Sequence, residues 1–418
     1  MSKFRYLLGR LMKQLWVRPT IMSLLAIGWV TLAYGIQYVT NDTWPFDIEK
    51  ATLTNLFAIL ASSMLTVATF AVSALVAAFS GVSSSSTPRA RVLVMADTTA
   101  QTALASFVGA FIYAVVALVA LSTLSYGTVG RFGLFVGFVI AVSFVLMSFL
   151  RWVALVSNLG GLDDTIDRAE KAALEVFSSP AAIGGIGGRE YGDDVSMPTG
   201  LDFMALRIGY LCHVDTTALN ELAERLNATI WLRVRPGAFV DTARQLVTVV
   251  GVDRLDEEDE ARLRDAFTIQ PSRDLSVDPR FALIVLSEIA DRSLSASTND
   301  TGTSIRVLGV QLRLFARWVE TRRLVEEGEV EFPHVNVPRL AVSDLLDDAF
   351  MATARSGAPY VEVALRLQKC FRTLALLGRE DLRHAAVFQA ELALAQALEK
   401  ISLDHYRKRL LAVAGQAS

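Results

Sequence analysis

Hydroxyl groups at Ser62, Thr66, Thr69 and Ser73 recur at intervals of four, three and four residues. That spacing sets them on one face of a helix. Such a face can line a water-filled path, where oxygens replace part of an ion's hydration shell. It can also let helices approach closely while each hydroxyl bonds to a backbone carbonyl, which is the more economical reading. A lipid- or partner-binding face is the third reading. A polar elbow follows at Ser80–Arg89, containing Ser86, Thr87, Pro88 and Arg89, with Arg91, Asp97 and Gln101 just beyond it. Pro88 biases Thr87 away from helical angles and can open the next helix. Asp97 and Gln101 precede a long apolar stretch, where a buried carboxylate needs a partner, and Arg89 or Arg91 is nearest in sequence.

A second constellation lies far downstream. The turn Ser295–Thr303 gathers Ser295, Asn299, Asp300 and Thr303, with Arg273, Asp278 and Arg292 nearby in sequence. Such a set can hold an ion or small ligand, form a subunit contact, or simply cap the helices on either side. Capping is the economical reading. The remaining candidates for chemistry are weak. His213, His334, His384 and His405 lack metal-ligand spacing. Cys212 and Cys370 are far apart and fit a reduced setting. Gly184–Gly188 is not followed by the Lys-Ser/Thr of a phosphate loop. No nucleophile–base set or catalytic carboxylate pair is recognisable, so the expectation is a protein that is not an enzyme and carries no cofactor and no metal.

The elements that must position these residues follow from hydropathy and charge. The 418 residues are 52% hydrophobic, more than a soluble domain usually carries. Residues 1–156 have a charge balance of +6 and the remainder −9. No concentrated basic patch points to nucleic acid. Apolar runs predict spans at about 19–39, 53–79, 103–124 and 132–156, each long enough to cross hydrocarbon. Lys3, Arg5, Arg10, Lys13 and Arg18 precede the first as a basic amphipathic arm. The acidic loop after it (Asp42, Asp47, Glu49) lies opposite the elbow. The positive-inside rule then puts both termini and the elbow in the cytoplasm of an inner (plasma) membrane.

The expected layout is a transmembrane domain at 1–158, a helix and flexible linker at 159–200, a β-rich module at 201–254 and a helical domain at 255–418. In the module, 203–212 reads as a strand, Asp215 or Thr216 caps a helix, and 228–234 and 245–252 alternate as strands about the Arg235-Pro-Gly237 turn. This order resembles the half-barrel of biotinyl/lipoyl-like modules, although the modifiable lysine expected at the hairpin is absent. Beyond Asp256 the helical pattern dominates, with the acids Asp256–Glu260 opening the first helix where its dipole favours them and caps at Asp278, Thr303 or Ser304, and Ser343. The fold class is thus a membrane protein of four transmembrane α-helices followed by a cytoplasmic α+β domain.

Three blocks carry a resemblance over nearly the full length. They are Ser86-Thr-Pro-Arg89 with Asp97, Gln101, Phe107, Gly109 and Tyr113; Leu232–Val240; and Asp278, Phe281, Ala290, Arg292, Ser295 with Asn299–Thr303. By these the chain is identified as a member of the bacterial family of predicted membrane proteins called domain of unknown function 2254. Thr87 stands where that family more often has Ser, and Thr301 where it often has Pro. The resemblance implies a membrane protein and no particular activity. The residues point to an oligomeric ion channel or transport-like protein regulated by its cytoplasmic domain. The other reading is a membrane-anchored sensing or scaffolding protein without a pore. Partners implied are the lipid bilayer, further copies of the chain, and an ion or small ligand.

Overall fold

The protein is described from a computed structural model, which covers residues 14, 16–36, 48–85, 87–89, 98–158 and 162–415. The basic arm up to Lys13 and most of the acidic loop expected from the sequence lie outside these residues, while Arg18 falls in the first turn of the first helix. Ser86, Arg91 and Asp97 also lie outside them. The chain divides into two compact units, one containing 8–85 and 91–164, the other 165–418 together with 86–90.

Among the described residues the first unit has four helices, α1 (Val17–Ile36), α2 (Lys50–Ser85), α3 (Thr98–Thr123) and α4 (Thr128–Asn158). All four are long and apolar enough to cross a membrane, and they overlap the four expected spans. α3 is the most enclosed and packs on α1, α2 and α4. Alanines explain this: Ala103, Ala105, Ala114 and Ala117 are almost fully buried, and small side chains let neighbouring helices close in where apolar burial alone gives no drive. Phe57 of α2 meets Tyr113 and Phe138 edge-on, with ring centroids 5.4 and 5.8 Å apart.

One expectation fails here. The sequence reads Ser80–Arg89 as a break, but α2 continues through Gly81 to Ser85. Gly and Ser cost at most about 1 kcal/mol each in a helix, and propagation from an established helix absorbs that. The joint therefore begins about five residues later than the serines suggest.

In the second unit α5 (Leu162–Phe177) and the short α6 (Pro180–Ile183) lead into β1 (Gly188–Tyr191). Then come β2 (Leu201–Met204), β3 (Gly209–Val214), α7 (Thr216–Leu226), β4 (Thr229–Leu232), β5 (Phe239–Val240), β6 (Gln245–Val250), α8 (Glu257–Asp265) and β7 (Phe267–Gln270). After them run α9 (Pro279–Ser293), α10 (Thr301–Glu327), β8 (Phe332–Pro338), α11 (Val342–Gly357), α12 (Val361–Ala375), α13 (Glu380–Lys400) and α14 (Asp404–Ala414).

The strands form a five-stranded sheet in the order β1-β8-β4-β6-β2 and a three-stranded sheet in the order β5-β3-β7. This corrects the half-barrel. β8 falls on the strand-like link expected at Glu331–Arg339, and it sits inside the larger sheet, parallel to β1 and β4. Val335 and Val337 on it are fully buried. The β structure is therefore not confined to 201–254, since β1, β7 and β8 come from outside that range. Nor is 159–200 simply a linker, because it supplies α5 and an edge strand. The single strand expected at 203–212 is two, β2 and β3, in different sheets, separated where Leu206 and Ile208 face outward.

Caps follow the sequence at Asp215 and Asp278, each accepting a hydrogen bond from the backbone N–H three residues on, and Asp256 caps α8 in the same way at the acid-rich helix start expected there. Two caps differ. Asp300, not Thr303 or Ser304, caps α10. α11 begins after Ala341 with no side-chain cap, so Ser343 lies inside the helix.

Candidate functional site

The hydroxyl stripe occupies the side of α2 turned away from its own bundle. Leu53, Phe57, Leu60, Met64, Ala71 and Leu75 are buried, and at 100° per residue they fall opposite Ser62, Thr66, Thr69 and Ser73. All four hydroxyl residues are exposed. Each oxygen donates its proton to a carbonyl of its own helix: Ser62 to Ile59, Thr66 to Ser62, Thr69 to Leu65 and Ser73 to Thr69, at 2.9–3.1 Å. What remains pointing outward is the lone-pair side of each hydroxyl. Packing against the chain's own helices does not account for the stripe. Exposed Asn55, seven residues before Ser62, extends it. Its place was hidden because the apolar run begins around it.

The joint beyond α2 is described only at Thr87, Pro88 and Arg89. Thr87 is buried, and the Arg89 guanidinium donates to the Glu288 carboxylate on α9. These residues cluster with the second unit although they lie between two membrane helices in the chain. Gln101, on the first turn of α3, is buried.

The second predicted constellation is split. Arg273 and Asp278 stand at the start of α9, whereas Arg292, Ser295, Asn299, Asp300 and Thr303 stand at its end. The 15 residues of α9 put about 22 Å between them. At the first end Arg273 Nε donates to Asp278 Oδ2 at 2.7 Å and its guanidinium lies over the Phe281 ring. Asp278 Oδ1 caps Phe281 N–H at 3.1 Å. Gly237 closes over this carboxylate from the Arg-Pro-Gly turn. Its φ is +96°, and a Cβ there would lie 2.3 Å from Asp278 Oδ2. Two blocks far apart in sequence thus meet in one contact.

At the other end Asn299 adopts the left-handed conformation, φ 50°, tolerated by Asn better than by most residues. Its N–H and that of Asp300 bond to Ser295 O and Ser293 O at 2.9 and 2.8 Å. Asp300 accepts from Thr303 N–H at 3.1 Å and Thr303 Oγ1 at 2.7 Å. These bonds hold its carboxyl below the usual range, the Thr303 hydroxyl contributing most. Thr301 occupies the first helical position, where Pro is also favoured, so the turn stands without it. Ser295 Oγ approaches Ser297 and Thr298 at 3.2 Å, and Arg292 is exposed. The geometry here is that of capping.

One group escaped the sequence reading. Arg235, of the same turn as Gly237, is buried and donates to Pro338 O at 2.8 Å, Ala182 O at 3.1 Å and Gly184 O. Its Nη1 lies 3.7 Å from Glu190, whose other oxygen pairs with Arg322 at 2.5 Å. Burial pulls the Arg235 guanidinium down to about 10, opposed by the Glu190 charge, so it stays cationic at neutral pH. The only sequence signal was an arginine beside a Pro-Gly turn. Among the described residues no group of three or more His, Cys, Asp or Glu could hold a metal ion.

A bundle of four long apolar helices followed by a unit of mixed sheet and helices is the class this arrangement defines. The family described as predicted membrane protein, DUF2254, matches residues 12–373. The chain belongs to that family. No curated protein and no solved structure matches it.

Proposed function

We propose that copies of the chain assemble in an inner (plasma) membrane with their α2 helices around a shared wet axis, forming an ion channel or transport-like path. The observation that carries this reading is the position of Ser62, Thr66, Thr69 and Ser73 opposite the buried face of α2. Their outward lone pairs suit water or a cation better than an anion. Control by the second unit is supported by Arg89, which reaches Glu288 from the joint between two spans. Both termini and the joint lie in the cytoplasm on this reading, in keeping with the basic arm and joint and the acidic loop between them.

Substituted-cysteine accessibility tests it. Cys212 and Cys370 are buried, so a cysteine placed at 62, 66, 69 or 73 reports on itself. In liposomes these positions should react with a membrane-impermeant thiol reagent and the reaction should block ion flux. Thr66→Leu and Thr69→Leu should lower flux. Unreactive positions and no flux under any ion, pH, voltage or tension would rule the path out.

A second reading has its own support. Exposed Ile59, Leu65, Phe70 and Val76 flank the stripe, and hydroxyls bonded to their own helix are tolerated in lipid. The spans would then anchor a sensing or scaffolding unit. This reading expects alanines across the stripe to leave function intact, and substitution of Asn299 or Asp300 to abolish it.

A further inference from the structure

Most arginines along α10 are matched by acids. Arg306 donates to Asp167 Oδ1 at 2.6 Å, and Arg317 to Glu320 Oε2 at 2.8 Å. Arg313 Nε and Nη2 donate to the two oxygens of Glu170 at 2.6 and 2.7 Å. Two cations of α12 differ. Arg366 is half-buried, and its Nε is sealed from solvent. Among the described residues that guanidinium has no hydrogen-bond or ion-pair partner. Glu362, one turn earlier on α12, is exposed and not paired with it. Lys369, three residues after Arg366, is exposed, and its ammonium has no partner among the described residues either.

The two helices meet beside Gly309. Cys370 Sγ lies 4.0 Å from Leu308 O, one residue before that glycine. A Cβ on Gly309 would lie 3.7 Å from Arg366 Nη2 and 3.8 Å from Arg313 Nη1. The two nitrogens therefore lie within the sum of those distances, about 7.5 Å, of each other. Arg313 Nη1 is the nitrogen that Glu170 leaves over. Glycine is unfavourable inside a helix, and here it leaves open the space between the two guanidiniums.

Like charges converging on one space repel, and a sealed donor without an acceptor is costly. An anion between them offsets the charge. Two N–H···O contacts of about 2.8 Å, one on each side of a phosphate, span the separation. The guanidinium fork suits phosphate oxygens, and Lys369 shares a face of α12 with Arg366. A phosphate dianion matches the charge of Arg366 and Lys369 together, whereas a carboxylate would match one of them. We propose that Gly309, Arg313, Arg366 and Lys369 form a binding site for a phosphate monoester, held across α10 and α12. That chemistry is common to soluble phosphates and to the headgroup of phosphatidic acid. The site lies wholly in the second unit and does not rest on conduction.

Equilibrium dialysis of the full chain in neutral detergent, against radiolabelled inorganic phosphate at constant ionic strength, tests the site. Native mass spectrometry supplies a lipid arm, with phosphatidic acid against phosphatidylcholine of identical acyl chains. One saturable ligand per chain is expected. Arg366→Gln removes donors and Gly309→Leu fills the space, so each should weaken binding about tenfold or more at unchanged helicity. Arg323→Gln, about four turns beyond Gly309 and paired with Glu327 in the wild type, should leave binding unchanged. Saturable binding of inorganic phosphate assigns a soluble ligand. Retention of phosphatidic acid alone, lost in the same two variants, assigns a headgroup. Absence of saturable binding in both arms would overturn the proposal. So would an affinity unchanged in both Arg366→Gln and Gly309→Leu, or lowered as much by Arg323→Gln. The readouts are independent of flux, so failure of the channel reading leaves the site standing.

Discussion

Arg235 makes its contacts entirely inside the protein, holding three backbone carbonyls while facing Glu190. Removing one member of a buried charged set costs about 3–5 kcal/mol, because the partner is left uncompensated. Arg235→Met should therefore lower the midpoint of thermal unfolding by several degrees, read in the full chain by intrinsic fluorescence. Gly237→Ala should have a similar sign, since it adds both a strained φ and a collision with Asp278. Asp300 contributes differently. Its folded carboxyl is held below the ordinary value of 3.8, so its stabilisation is present above that value and is lost as pH falls through the folded one. Asp300→Ala should cost about 1 kcal/mol near neutral pH, as loss of a helix cap does. The difference from wild type should shrink as the pH is taken below 3.8, followed by chemical denaturation across a pH series.

Element by element, α2 is where an established helix overrides local appearance, and β8 is where the fold supplies partners that a local strand pattern does not name. β8 is a short apolar strand between two helices, yet it pairs with both β1 and β4. Val335 on it has no exposure. Val335→Ala should destabilise the second unit by about 2 kcal/mol, as a buried truncation does. Hydrogen exchange should find β4 and β8 among its slowest backbone amides. α2 has one face against α3 and a second carrying hydroxyls outward. Substitution on the buried face, such as Phe57→Ala, should impair folding, whereas Thr66→Leu should leave helicity and thermal stability unchanged. That contrast separates a face required for the fold from a face reserved for something else.

On the scale of the molecule the question is how membrane helices and the second unit influence each other. The Arg89–Glu288 pair is half exposed, with side-chain exposures of 52% and 29%. Such pairs contribute about 1 kcal/mol or less to stability. Arg89→Glu or Glu288→Arg should therefore scarcely move the unfolding midpoint. If the joint transmits a signal, either reversal should shift the threshold of flux in liposomes, and the double reversal should restore it. An unchanged threshold in all three would confine the pair to a structural contact.

The four helices, the caps at Asp215 and Asp278 and the largely helical run beyond Asp256 were legible in the sequence. Each depends on local physics: apolar length, a carboxylate three residues before an N–H, a period of 3.6. The helix through Ser80–Ser85 was misread because weak local propensities yield to an established helix. The half-barrel was misread because the strand completing the sheet arrives some eighty residues later, and pairing across that distance has no local signature. The meeting of Gly237 with Asp278, the splitting of Arg273 and Asp278 from Asn299 and Asp300, and the clamp at Arg235 depend on tertiary packing alone. The hydroxyl stripe belongs to both. Its common face follows from residue spacing, but only the packed bundle decides that this face looks away from the chain's own helices, because α3 takes the opposite side.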